Sequence, residues 1–314
     1  MEIAGSVTGG CIEGEVYEQA QAVIQSGAPK LLQYGITNEE TPWEIGLSCG
    51  SSLEVFVESL DSPQWRGLYP TLKTCLDENQ PAAVGTVIAG EGVGNKILIL
   101  PDGRTLGNLG SAALDADAAA WAREQLRVQE SGWRTFGAAD VFVDVLPPPS
   151  QLIIVGAVHI AIPLVALAKT LEFRTIIIDP REAFATPERF PHADELITAW
   201  PSDALEKLRL DESAYVVVIS HDEKLDNPAL KVALASPARY VGVLGARKNI
   251  GKRFESLREL GATDEQLTRL QAPIGMRLGA VSPQEIALSI LAAMVAAKHG
   301  MGFDKTAIPS HPSA

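Results

Sequence analysis

The chain has 314 residues, 46% of them hydrophobic, with a mean hydropathy of +0.10, enough apolar material for two domains with full cores. Its 26 basic and 39 acidic residues give a net charge of −13 and a pI near 4.9, which argues against nucleic acid or an acidic membrane surface as partner. No run approaches about 18 uncharged apolar residues, the opening MEIAGSVTGG lacks a charged-then-apolar signal region, and three cysteines make no disulfide framework, so the expectation is a cytoplasmic protein.

Residues 1–27 read as a Gly-rich turn followed by a helix with Val16, Ala20 and Val23 on one face, Thr8 or Gly9 as its cap, and Glu13 and Glu15 in its first turn. Cys11 is thereby expected at a helix amino terminus, where the dipole and unpaired N–H groups favour a thiolate, with Gly9 and Gly10 beside it. After a strand-like KLLQYGI and the acidic loop NEETPWE, Cys49 falls in a Gly/Ser turn ahead of an alternating strand, Leu53 to Leu60. The free amides of Gly50 and Ser51 suit an anion beside the sulfur. Neither cysteine belongs to a CxxC pair, so a structural zinc site is not expected, and each also reads as a small core residue. Cys75, in TLKTCLDEN, reads as helix core.

The pattern then repeats. At an offset of 102, Gly5 falls on Gly107, Val7 on Leu109, Ile12 on Leu114, Glu13 on Asp115, Ala20 on Ala122 and Ile24 on Leu126. At an offset of 86, EVFVESL from Glu54 falls on DVFVDVL from Asp140. Agreement of polarity and apolar identity at both ends indicates an internal duplication. These offsets set Cys11 on Ala113 and Cys49 on Thr135, so the copies share scaffold and differ at both cysteines. The second copy opens with a hairpin, Val84 to Ile88 and Lys96 to Leu100, turning through Asp102-Gly103-Arg104. Only four residues precede Gly5, so the first copy is expected to lack its hairpin, through truncation, an alternative start or donation by a partner protomer.

Three prolines at residues 147–149 mark a linker over 147–150, separating an α+β domain at 1–146 from an α/β domain at 151–301, with a flexible tail at 302–314. The second domain is anchored by a βαβ unit, Gln151 to Arg181: a buried apolar strand, a helix from His159 to Leu171, and a second strand ending at Asp179. Strands are expected at 151–155, 174–178, 196–199, 214–219 and 239–244, and a last helix from Pro283 to Lys298 behind a Ser282-x-x-Glu285 cap. That alternation predicts a Rossmann-like, doubly wound parallel sheet.

A dinucleotide fingerprint wants Gly-x-Gly-x-x-Gly/Ala after the first strand and an acid about 20 residues on. Here the positions are Gly156, Val158 and Ala161, with Asp179 as the acid, so a valine stands where the backbone should approach a pyrophosphate. Either the turn is kept for packing, or a different nucleotide or anion uses the helix amino end with His159, Asp179 and Arg181. A second anion site is suggested where Gly245 ends the fifth strand and Arg247 and Lys248 follow. His221 ends the fourth strand at the same edge.

With these residues in view the chain resembles the XdhC/CoxI family of accessory proteins for molybdenum hydroxylases. The resemblance is carried in order by GSVTGGCIEGEV, LSCGSSLEVFVE, VGAVHIA, LGARKN and APIGMRLGAVSPQEIALSILA. It implies a cytosolic, homodimeric maturation factor rather than an enzyme, which binds molybdenum cofactor (molybdopterin), helps its sulfuration with a cysteine desulfurase as a candidate partner, and hands it to apo-xanthine dehydrogenase or a related hydroxylase. By the same resemblance Cys11 and Cys49, with Gly9, Gly10, Gly50 and Ser51, are the contacts to the cofactor's molybdenum or sulfur. The chain departs from the family at the leading hairpin, at Val158 and at Met276-Arg277. Two other classes follow from the residues alone. One is a nicotinamide-dependent oxidoreductase on the Rossmann-like fold, with NAD as cofactor. The other is a redox protein using Cys11 and Cys49 as a switchable pair. An iron–sulfur electron carrier is excluded by the count of three cysteines.

Overall fold

The computed structural model describes residues 6–35 and 52–301, apart from the Arg247 side chain, and the chain divides after Pro148 into two compact units. The first unit is α+β. It runs α1 (Glu13–Ser26), β1 (Lys30–Tyr34), β2 (Leu53–Val57), α2 (Pro63–Asp77), β3 (Ala82–Ala89), β4 (Lys96–Ile99), β5 (Thr105–Asn108), α3 (Ala112–Val128), β6 (Gly132–Phe136) and β7 (Ala139–Leu146). Strands β5-β4-β3-β7-β6 form one antiparallel sheet, and β1 pairs with β2 in a separate hairpin. Alternation along the strands sorts two faces. Ala83, Val87, Ile97, Val141 and Val143 pack under α3, while Ala82, Val84, Leu98 and Leu100 pack under Leu68, Leu72 and Cys75 of α2. The Asp102-Gly103-Arg104 turn leads into a third strand, β5, so the expected hairpin is a three-stranded meander.

The duplication is visible in the strand register. In the first hairpin Lys30, Leu31, Leu32, Gln33 and Tyr34 face Val57, Phe56, Val55, Glu54 and Leu53. In the second, Gly132, Trp133, Arg134, Thr135 and Phe136 face Val143, Phe142, Val141, Asp140 and Ala139. Every pair coincides when the first strand is shifted by 102 and the second by 86. The cross-strand side-chain bond is reproduced as well: Gln33 Nε2 donates to Glu54 Oε1 at 2.7 Å, and Thr135 Oγ1 to Asp140 Oδ1 at 2.7 Å. The difference between the offsets is one connection, residues 35–52 in the first copy against Gly137 and Ala138 in the second. Thr135 is therefore the counterpart of Gln33, not of Cys49, and Cys49 falls in a stretch that the second copy does not possess.

The second unit carries β8 (Gln151–Val155), α4 (Ala161–Lys169), β9 (Arg174–Ile178), β10 (Glu195–Ile197), α5 (Pro201–Leu205), β11 (Ala214–Val218), α6 (Glu223–Ala235), β12 (Tyr240–Val243), a 3-10 turn (Arg247–Asn249), α7 (Ile250–Glu259), α8 (Asp264–Thr268), β13 (Leu270–Gln271) and α9 (Pro283–Lys298). All six strands are parallel, in the order β10-β9-β8-β11-β12-β13, the Rossmann arrangement, with the order reversing between β8 and β11. Ile153, Val155, Ile176, Val216 and Val218 face α5, α6 and α7, while Leu152, Ile154, Ile177 and Val217 face α4 and α9. The Ser282 side chain accepts from Glu285 N–H and Glu285 reaches back to Ser282 N–H at 2.8 Å, a complete capping box. The helix after the first strand starts at Ala161, because residues 159–160 form a turn, and His159 is an exposed loop residue rather than part of an apolar helix.

Candidate functional site

In the loop before α1, one carboxylate organises everything around it. Glu13 Oε1 accepts the backbone N–H groups of Val7 (3.0 Å), Thr8 (2.8 Å) and Gly9 (2.9 Å), and Oε2 those of Gly10 (2.9 Å) and Ile12 (3.2 Å). The hydroxyls of Ser6 (2.8 Å) and Thr8 (3.1 Å) complete the shell. The chain can present its amides this way because Gly9 and Gly10 have φ of 78° and 124°, and an added Cβ at either would meet open space, so the requirement is conformational rather than steric. The Thr8 N–H first, and the Ser6 hydroxyl next, hold the Glu13 pKa far below its ordinary 4.5. The helix begins after Ile12, with no side-chain cap there, not at Thr8 or Gly9; Glu13 gathers the amides of the loop before it. The amides of Gly9 and Gly10 are already occupied by an internal anion. Cys11 rides on this fixed loop, exposed, with its N–H on Thr8 Oγ1 at 3.2 Å. Cys49, Gly50 and Ser51 lie outside the described residues.

On the same side of the five-stranded sheet as α2, beside that helix, the β1–β2 hairpin, Trp65 of α2 and strands β3, β6 and β7 enclose a cleft of about 810 Å³. Phe56, Trp65, Trp133 and Phe142 line it together with Glu58 and Asp144, and Val7, from the same loop as Cys11, reaches its wall. Behind its lining residues Glu58, Thr86 and Trp65, Lys96 is fully buried, donating to Glu58 Oε1 at 2.7 Å and Thr86 Oγ1 at 2.8 Å, with Nζ 4.7 Å from the Trp65 ring centroid. Burial lowers the Lys96 pKa, and Glu58 counters part of that. Sequence reading does not single out these residues. The signal is nonetheless present, for the alignment of EVFVESL with DVFVDVL sets Glu58 on Asp144.

At the carboxyl edge of the parallel sheet, the expected dinucleotide turn is organised for other ends. Gly156 has φ of 109°, and a Cβ there would sit 2.6 Å from Ser220 Cα, so this glycine lets the β8 and β11 ends approach each other. Val158 packs against the α4–α9 core. Asp179, fully buried, accepts from Ala157 N–H at 2.8 Å, from Arg181 N–H at 3.0 Å and from the Arg181 guanidinium at 2.8 and 2.7 Å. Burial pushes its pKa up, but the Arg181 hydrogen bonds outweigh that and leave it lowered. The carboxylate that a ribose would need is spoken for, and Arg181 lies over Phe184 at 4.1 Å instead of facing a phosphate.

A pocket of about 530 Å³ opens at this edge on the other side of the switch point, bounded by Ile160, His221, Gly245, Asn249, Arg253 and Pro273. It brings together the predicted Gly245 and His221, which lies in left-handed backbone at φ of 64°. It does not bring in His159, Asp179 or Lys248. Arg253 is engaged by Asp226 (3.2 Å) and Asn227 (3.1 Å), and Asp226 by Ser220 Oγ (2.6 Å), which knits the pocket wall to the β11 end. Among the described residues no group of three or more His, Cys, Asp or Glu side chains is arranged to hold a metal, and no helix is long and apolar enough to cross a membrane.

A family model of the XdhC Rossmann domain matches residues 152–294, and a model of the XdhC and CoxI family matches residues 1–35 and 75–137. A Bacillus subtilis protein named as a probable component of xanthine dehydrogenase is 27% identical over 93% of this chain and 83% of its own. The molybdenum cofactor insertion chaperone PaoD of Escherichia coli is 24% identical over 98% of this chain and 78% of its own. A Bacillus halodurans protein whose crystal structure is described as a xanthine dehydrogenase has the same fold, with a TM-score of 0.73 at 24% identity over 99% of this chain and 85% of that one. With matches in both units and relatives along nearly its full length, the chain belongs to the XdhC/CoxI family.

Proposed function

We propose that the chain takes up molybdenum cofactor as cargo, assists its sulfuration and delivers it to the apo form of a xanthine dehydrogenase-type molybdenum hydroxylase. The observation that carries this reading is the likeness along 98% of the chain to PaoD, a molybdenum cofactor insertion chaperone. The amino-terminal geometry accords with it. Glu13 stiffens the loop, so that Cys11 presents a soft sulfur from a fixed backbone, and a thiophilic metal with its sulfur ligands is a suitable partner for such a group. Cys49, in the connection unique to the first copy, is the second candidate contact. A nicotinamide oxidoreductase would need Asp179 free, and Arg181 holds it.

The test is co-purification from cells that make the cofactor, with molybdenum measured by elemental analysis and pterin by fluorescence after oxidation. Cargo near one per chain is expected, with Cys11→Ala and Cys49→Ala each retaining less. An empty protein that also captures no apo-hydroxylase would overturn the reading. Pairing with a second copy and with a cysteine desulfurase belongs to the same proposal, and sedimentation of the chain alone and mixed with a desulfurase tests each.

A further inference from the structure

The register coincidence has a spatial outcome: the amino-terminal cleft is lined by matching residues of the two copies. Leu31 and Trp133 are equivalent, as are Phe56 and Phe142, and Glu58 and Asp144, and all six bound the same cleft. The symmetry is broken in two ways. Where the first copy has Leu31, the second offers Trp133, 57% exposed, an indole turned out of the core at the mouth of a cavity. Where Glu58 is neutralised by buried Lys96 at 2.7 Å, Asp144 has as its one side-chain hydrogen bond among the described residues a long contact from Ser131 Oγ, 3.3 Å. Asp144 opens on the cleft, yet the surrounding walls desolvate it enough to raise its pKa against the pull of Ser131 and Lys96. The Trp65 indole N–H, buried at the same wall, has no partner among the described residues.

Aromatic faces, a carboxylate with unused acceptor capacity and an unpartnered donor call for a flat heterocycle with N–H donors and a carbonyl on one edge. We infer that this cleft holds the pterin end of the cargo, its 2-amino-4-oxopyrimidine ring against Trp133 and Phe142 and its amino edge donating to Asp144. The inference rests on the cofactor-chaperone reading for the identity of the heterocycle. Guanine shares that edge, so the test separates the two sources.

The whole 314-residue chain, made in cells unable to synthesise the cofactor, is dialysed to equilibrium against 6-hydroxymethylpterin, which is read by its own fluorescence. Saturable binding is expected. Trp133→Leu, which restores the residue of the first copy, and Asp144→Asn should each weaken it roughly tenfold or more. Lumazine, which has a carbonyl in place of the 2-amino group, should bind correspondingly worse, and displacement of pterin by guanosine monophosphate would support reading of the shared edge. Binding of guanosine monophosphate without pterin, or pterin binding indifferent to both substitutions, overturns the assignment. The two proposals fail separately. A chain that acquires cargo in cells, but equally well in both variants, overturns the cleft and leaves the chaperone reading. A chain that binds pterin in dialysis through these residues, yet never acquires molybdenum or a client, keeps the cleft and overturns delivery.

Discussion

Glu13 and Asp115 stand at equivalent positions of the two copies and make the same contact: each carboxylate accepts the backbone N–H of the residue six places before it, Val7 at 3.0 Å and Leu109 at 2.6 Å. The longer Glu13 side chain goes on to gather the Gly9 and Gly10 amides. Glu13→Gln keeps the shape and removes the charge, so amide hydrogen exchange at Thr8, Gly9 and Gly10 should speed up. The pH sign follows from the lowered pKa. The carboxylate's contribution is complete above its ordinary 4.5 and erodes as pH falls below that toward the folded-state value. Exchange protection of these amides, corrected for intrinsic rates, should therefore fall on acidification in the native chain and stay flat in the variant.

Gly156→Ala tests whether the turn after β8 serves packing. A Cβ there meets Ser220 backbone at 2.6 Å on a residue with φ of 109°, and backbone cannot move aside as a side-chain tip can. A loss of about 3 kcal/mol is expected from urea unfolding of the carboxyl-terminal unit. A near-neutral result would return this glycine to a ligand-facing role.

Removing Arg181 leaves the fully buried Asp179 with two backbone donors, Ala157 and residue 181 itself. Arg181→Ala should destabilise by about 2 kcal/mol, less than for a fully enclosed pair because the arginine side chain is 40% exposed. Val158→Gly alone should not create NAD affinity, since the acid stays occupied. Isothermal titration that found micromolar NAD binding in that variant would contradict this account of the turn.

At the Lys96–Glu58 pair behind the wall of the amino-terminal cleft, the asymmetry of buried ion pairs can be measured. Glu58→Gln leaves Lys96 enclosed without its counter-charge, with a cost of roughly 3 kcal/mol. Lys96→Met together with Glu58→Gln removes both charges and should recover much of that loss. Chemical unfolding of the two variants side by side gives the comparison, and equal stabilities would show that the pair is not coupled in this way.

The parallel sheet is legible in the sequence because its strands are continuous Val/Ile runs buried on both faces, and the last helix because Ser282 and Glu285 form a local capping box that needs no tertiary information. The pattern puts the short β10 strand one residue late, over 196–199 instead of Glu195–Ile197, since three half-buried residues carry almost no periodicity. The repeat is legible to the residue within its elements, and fails only at Cys49, where an alignment of strands is carried into a connection of unequal length. The site is harder to read. Glycines advertise an anion loop, but not that Glu13, three residues beyond Gly10, fills it, because a chain's own side chain competes unseen with any ligand. Asp179 likewise looks like a ribose acceptor until Arg181, two residues away, is seen to close on it. The cleft escapes notice because its walls come from both copies and only the fold brings them together.

A duplicated scaffold offers a ligand two near-equivalent ways to lie, one against each copy. In the cleft the Leu31 to Trp133 difference, and the contrast between Glu58, paired with Lys96, and Asp144, whose one side-chain hydrogen bond among the described residues is the long one from Ser131, break that equivalence. The occupant proposed for this cleft should accordingly be seated in one orientation, set by Trp133 and Asp144 of the second copy.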